Sequence, residues 1–191
     1  MKKLLNPIEF YNDRKLLIVN LIIFAVGTAL AVLLRGVFGS PIDLHFESEI
    51  VLLHSVLGNI TAVLTMMLVL FIAGKIINRK TRLIDCLNLA LYIRIPYYVL
   101  TLWNILGTFS KMKPVVDNQN KISVTLPSST IDVLVLSSFS FFALVALVII
   151  GTIVYFGFKT ITNSKKVTDY LILIVLIIIS IILSYTLSKN F

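Results

Sequence analysis

The sequence predicts an all-α, polytopic membrane helix bundle of five transmembrane helices, with the N-terminus cytoplasmic and the C-terminus outside. Three observations carry this. Hydrophobic residues make up 58% of the 191 and charged residues only 14%, against roughly 45–50% and about 25% in soluble domains. A soluble fold of this length could not bury so much apolar surface, whereas lipid can take the place of water around it. Four runs, 16–34, 50–74, 133–158 and 170–188, hold no charge, and a spanning helix needs about 20 mostly apolar residues. Finally, Lys and Arg fall in short clusters between these runs, the pattern that orients membrane proteins.

The elements follow in order along a single domain, 1–191. Residues 1–15 read as a short cytoplasmic interfacial segment. Within it Asn6-Pro7-Ile8-Glu9 has a capping residue, a proline and a carboxylate in the order of a helix start. Ile8, Phe10 and Tyr11 are expected to face lipid. The first span is set at 16–34. Arg14-Lys15 and Ala29-Leu30-Ala31 could also mark a cleaved leader, but the apolar run continues to Leu34 and further spans follow, which favours an uncleaved span. In the outer loop, Ser40-Pro41-Ile42-Asp43 reads as the start of a short helix. The second span is set at 50–74.

A fifth candidate run, 83–110, contains Asp85, Arg94 and Pro96, and its span is set at 86–109. Residues 110–130 form the long outer loop, in which Val115-Val116 and 122–126 can pair as a hairpin. The last two spans are set at 132–158, headed by Ser129-Thr130-Ile131-Asp132, and at 170–188. Alternation at period two is absent from these runs, which argues against a β-barrel. Uncharged backbone in lipid must satisfy its own hydrogen bonds, as helices do.

Orientation is read from the charges. Lys2, Lys3, Arg14, Lys15, Lys75, Arg79, Lys80, Arg82, Lys159, Lys165 and Lys166 fall on one side, eleven in all, and Arg35, Lys111, Lys113, Lys121 and Lys189, five, on the other. The richer side is cytoplasmic by the positive-inside rule. The net charge of +8 is spent on this arrangement. It lacks the one-sided basic footprint of a nucleic-acid binder, so no nucleic acid is expected. A single cysteine, Cys86, permits no internal disulfide and reads as a small buried hydrophobe.

A charge at the centre of a span costs about 2.5–3.5 kcal/mol on insertion scales, so intramembrane polar residues are the candidates for function: Arg94, Asp85 and His54. Arg94 has two readings. If the span starts near Leu83, it lies about 16 Å deep and needs a partner or a water-filled cavity; Asp85 sits on the opposite helix face, so a partner would come from another span. If the span starts near Leu89, then Asp85, Asn88 and Tyr92 form a stripe at the headgroups, Pro96 kinks the helix, and Arg94 snorkels to phosphates. His54, Gly58, Thr61, Ala62 and Thr65 share one face of the second span. Gly27 and Ala31 in the first span, and Ser140 and Ala143 in the fourth, are small enough for close helix contact. There is no H-E-x-x-H, G-x-S-x-G, Cys–His cluster or Gly-rich phosphate loop, so no catalytic, cofactor or metal site is expected and the chain reads as a non-enzyme.

The stretch Gly74-Lys75-Ile76-Ile77-Asn78-Arg79-Lys80-Thr81, followed by Leu91-Tyr92-Ile93-Arg94-Ile95-Pro96-Tyr97, resembles the middle of the Yip (Ypt/Rab-interacting protein) domain family: a Gly-Lys closing the second span, a short basic loop, and Ile-Pro in the third. Asn6-Pro7 resembles prokaryotic members. The Asp-Leu-Tyr-Gly-Pro sequence of eukaryotic members is absent, so no family binding residue carries over. The resemblance implies a non-enzymatic multi-pass protein of the cell membrane, the cytoplasmic membrane of a bacterium, that organises membranes or scaffolds partners. Its partners would be the lipid bilayer and either another protein at Lys75, Arg79, Lys80 and Arg82 or a second copy packed through the spans. The alternative is a small transporter or permease subunit using Arg94 and the His54 face.

Overall fold

The computed structural model of the chain describes residues 2–47, 52–109, 112, 114–116, 122–124 and 129–188. Two short helices, α1 (Lys2–Leu5) and α2 (Pro7–Phe10), precede the long α3 (Asp13–Leu33). A two-residue ladder, β1 (Gly36–Val37) with β2 (His45–Phe46), follows, then α4 (Leu52–Ile77). Next come α5 (Leu83–Tyr92) and α6 (Ile95–Thr101), the latter running into a 3-10 turn at Leu102–Asn104. The antiparallel pair β3 (Pro114–Val116) and β4 (Ile122–Val124) leads to α7 (Thr130–Thr162, 33 residues) and α8 (Val167–Ser188).

Among the described residues four helices are long and apolar enough to cross a membrane: Asp13–Leu33, Leu52–Ile77, Leu83–Asn104 and Thr130–Thr162. The described apolar part of α8, Val167–Ile182, is shorter. Large apolar side chains cover the outside of the bundle, among them Val26, Leu33, Leu144 and Val148, each more than 60% exposed. Water would not tolerate a continuous patch of that kind, and the helices are those of a multi-pass membrane protein.

The helices alternate in direction, so the loops collect at two ends. At one end Arg82 meets Asp13 and Asp85, the Asn78 amide donates to the Thr162 carbonyl at 3.2 Å, and Asn6 reaches Thr160 at 2.8 Å. The three basic clusters of the sequence therefore share one end. At the other end the Asn104 amide donates to the Leu34 carbonyl, Thr108 donates to Asp132, and Phe46 stacks on Phe109. We call these the basic and the opposite end.

Local chemistry explains the boundaries. Asn12 caps α3 by accepting from the Arg14 amide at 3.0 Å, satisfying a donor the helix cannot. α7 begins at Thr130 with Ser129 at the cap position, though its side chain makes no cap bond, and ends at Asn163 in the left-handed region (φ 52°), where Asn is among the few residues tolerated. α2 has its expected proline at the first position, but Asn6 makes no cap bond. Its amide donates instead to Glu9 and Thr160. The β3–β4 pair agrees with the expected hairpin, of which 117–121 lie outside the described residues, as does most of the loop 110–130.

Several expectations are corrected. Ser40-Pro41-Ile42-Asp43 starts no helix. It is the turn between β1 and β2, closed by the Asp43 amide on the Ser40 carbonyl. Ile8 packs against the core while Phe10 and Tyr11 are exposed, because Pro7 is fully buried and fixes the helix with Ile8 inward. Ser140 is exposed, while Ala143 packs against the core as expected and α7 packs further through Ala146, Ile150, Ile153, Gly157 and Phe158. Gly27 and Ala31 do line the core, with the Tyr98 ring seated against Gly27. Cys86 is fully buried.

Candidate functional site

The most polar helix is also the most central. The Leu83–Asn104 span is 61% buried inside the bundle, against 11% for α7. Its polar side chains face neighbouring helices, since lipid offers them no partner, and they meet in three layers from the basic end inward.

The first layer is an ion-pair triad. Arg82 reaches Asp85 through Nε at 2.9 Å and Asp13 through Nη2 at 2.9 Å, tying the start of α5 to the start of α3. Arg82 remains 61% exposed, so water screens the triad and it is worth at most about 1 kcal/mol. The two carboxylates raise the Arg82 pKa further, Asp85 foremost through its hydrogen bonds. Asp85 is therefore occupied, and Arg82 is engaged in ion pairs while remaining exposed.

In the second layer Asn20 of α3 donates to the carbonyl (3.2 Å) and side-chain oxygen (3.3 Å) of Asn88, whose own amide donates to the Asp13 carbonyl. Asp85 and Asn88 are buried and face α3, and Tyr92 is half-buried and donates to the Leu4 carbonyl. The expected stripe toward the headgroups is thus turned inward, because α3 and the N-terminal segment supply its partners.

The third layer surrounds Arg94. Pro96 has no amide hydrogen, so the helix breaks into α5 and α6, with the Arg94 amide on the Leu91 carbonyl in a tighter turn. Asn88 lies beside Asn20 and Tyr98 beside Gly27, which sets Arg94 level with the middle of α3. Arg94 is only 1% exposed. The snorkelling reading is therefore corrected, and so is the expectation of a partner from another span. Its Nη2 donates to the backbone carbonyl of Ser40 at 3.1 Å, from the turn of the β1–β2 loop, which folds back into the bundle. The Phe38 and Tyr97 rings lie 5.0 and 5.7 Å from the guanidinium carbon, near enough for a cation–π attraction. Phe38 meets Tyr98 edge-on, and its carbonyl presses on α4 at Gly58. Asn59 donates to Thr28 (2.7 Å) and to the Tyr98 hydroxyl (2.9 Å).

His54 does not join this layer. It is exposed, as is Thr61, and the inward face of α4 is Ser55, Asn59, Ala62, Val63 and Met66. The expected face was about one residue out of phase. Lys75, Arg79 and Lys80 are exposed at the basic end, with Lys75 donating to the Arg79 carbonyl. Sequence reasoning passed over Asn20 and Asn59. An asparagine inside an uncharged run carries the same cost argument as a charge, and that signal was available.

Over Arg94 the β1–β2 loop carries its own charges. Asp43 and Glu47 flank His45, at 3.0 and 3.5 Å. The hydrogen bond to Asp43 raises the His45 pKa above its usual 6.5, and the same bond, helped by the Gly39 amide and the Arg94 charge, lowers that of Asp43. Protonated His45 therefore steadies the loop below the usual imidazole value, and that contribution is lost as pH rises through the raised one. The Asp43 contribution is present above the usual carboxylate value and lost as pH falls through the lowered one. An NMR titration should place His45 above 6.5, and Asp43→Asn should bring it back down. A His45 value that Asp43→Asn leaves unmoved would refute the pairing.

Among the described residues no group of three or more His, Cys, Asp or Glu could hold a metal. Compared with known proteins, the chain matches no family model, no curated protein and no solved structure.

Proposed function

We propose that the chain is a non-enzymatic multi-pass protein of the cell membrane that crosses the bilayer five times and scaffolds partners at its basic end, in the manner the Yip resemblance implies. The observation that carries this reading is the gathering of three basic clusters at one end of the bundle, with Lys75, Arg79 and Lys80 exposed there and only Arg82 engaged in ion pairs. That end is cytoplasmic by the positive-inside rule. α8 leaves from it and has 22 residues, about 33 Å of helix, enough for a fifth crossing.

Topology is tested in a Cys86→Ser background with single cysteines at Lys165 and Ile105. A membrane-impermeant maleimide should label Ile105→Cys and spare Lys165→Cys in intact cells. A reporter fused after Phe191 should be active outside; activity inside would leave four crossings. A photo-crosslinker at Arg79 or Lys80 should trap a discrete protein or a second copy, and adducts with lipid alone would sink the scaffold reading.

A second reading, a permease subunit, is favoured by the burial of Arg94 in a polar layer between the second and third spans. It no longer includes His54. Solute flux lost in Arg94→Ala with expression intact would support it over the first.

A further inference from the structure

We propose that Arg94 is the core of a binding site for a small monocarboxylate, closed by the loop Gly36–Phe46, which must withdraw to admit the ligand from the opposite end. The site does not depend on the scaffold or permease reading.

A buried guanidinium is costly unless charged partners surround it. Among the described residues Arg94 has none in contact. Asp43, the acid whose field reaches it, is hydrogen-bonded to His45. What holds Arg94 is one carbonyl and two aromatic rings. Its Nη1 is buried with no hydrogen-bond partner, and so is the hydroxyl of Tyr97, whose ring packs on the same guanidinium. Two residues three positions apart, with one ring packed on the other's guanidinium, thus carry buried unused donors, where an unmade hydrogen bond is penalised. An anion accepting from both would satisfy them.

Charge selects the ligand. One guanidinium, with no second cation in contact among the described residues, neutralises one negative charge, so a monoanion is matched and a phosphate dianion leaves charge uncompensated in a low-dielectric site. A carboxylate presents two oxygens to two donors, which a halide cannot.

The loop is built to move. Its ladder is two residues on each strand, β1 and β2, and the loop meets Arg94 and α6 through the Ser40 carbonyl and the Phe38 ring, with Val37 and Phe38 buried and Ile42 and Leu44 packed against the core. The few backbone bonds favour local opening, and the burial of Val37 and Phe38 is the cost that ligand binding must offset. Opening exposes the Arg94 charge to water and anions, which offsets the loss of the Ser40 bond.

The test is thermal unfolding of the full chain in detergent with increasing sodium acetate, against sodium chloride and sodium phosphate at matched ionic strength. Saturating acetate should raise the midpoint by about 5 °C and slow amide exchange over Gly36–Phe46, with chloride and phosphate giving less than half the shift. Tyr97→Phe removes only a hydroxyl that makes no bond, so it should fold normally and weaken acetate about 5- to 10-fold. Arg94→Gln should abolish the shift. No acetate-specific shift, an equal shift with chloride, or an unchanged acetate affinity in Tyr97→Phe would overturn the proposal even if Arg94→Gln fails to fold.

Discussion

Gly27→Ala should destabilise the bundle by about 1–3 kcal/mol, read as a lower unfolding midpoint of the detergent-solubilised protein. A Cβ at residue 27 would collide with the Tyr98 ring, which lies flat against the α3 backbone there. The ring cannot retreat without cost, because its hydroxyl accepts from Asn59 and its edge meets Phe38. The damage should therefore spread into the loop over Arg94, and amide exchange in Gly36–Phe46 should quicken in the same variant. Gly151→Ala is the control. Nothing lies within 4 Å of a Cβ there, and alanine in mid-helix should stabilise by about 0.5–1 kcal/mol. Equal effects at the two sites would refute the close packing of α3 on α6.

Arg94→Met should stabilise the chain by about 1–4 kcal/mol, the range seen when buried ionic groups give way to apolar side chains of similar volume. The substitution removes an unpaired buried charge. The Ser40 carbonyl keeps the Asp43 amide as a partner, and the Phe38 and Tyr97 rings would pack on the thioether. A more stable variant that has lost its acetate response would mean that the charge is kept for binding at the expense of stability. A large loss of stability would mean that the guanidinium is structural.

These two sites also mark what the sequence could convey. The alternation of apolar runs and basic clusters placed the helix boundaries within about five residues, because length and charge depend little on helix rotation. The hairpin at 114–116 and 122–124 and the helix start at Thr130 were local and equally legible. Rotation was not. α4 is apolar nearly all round, so nothing in its periodicity told His54 from Ser55 as the inward residue, and tertiary packing decided. The depth of Arg94 was open for a related reason. Its partner is a backbone carbonyl at Ser40, 54 residues away, and any residue type could have supplied it. The folding of an outer loop into the bundle leaves no compositional trace. Asp85 was legible in part, since helix geometry already excluded it as the Arg94 partner, and Arg82 three residues earlier was the near neighbour on its own face.

The length of α7 bears on the surrounding lipid. At 33 residues it measures about 50 Å, while α3 at 21 residues measures about 31 Å. The uncharged part of α7, 133–158, measures about 39 Å, so a hydrocarbon slab of about 30 Å that accepts α3 upright accepts it only at a tilt of about 40°. One flank of the molecule thus presents a taller apolar wall than the other, with Leu134, Leu144, Val148 and Tyr155 all turned outward along it. To the extent that α7 tilts less than this, acyl chains beside it stretch while those beside α3 need not, at fractions of a kcal/mol per Å. The protein would gather longer, straighter lipids to one side of itself and be drawn toward the thicker parts of any membrane that holds it.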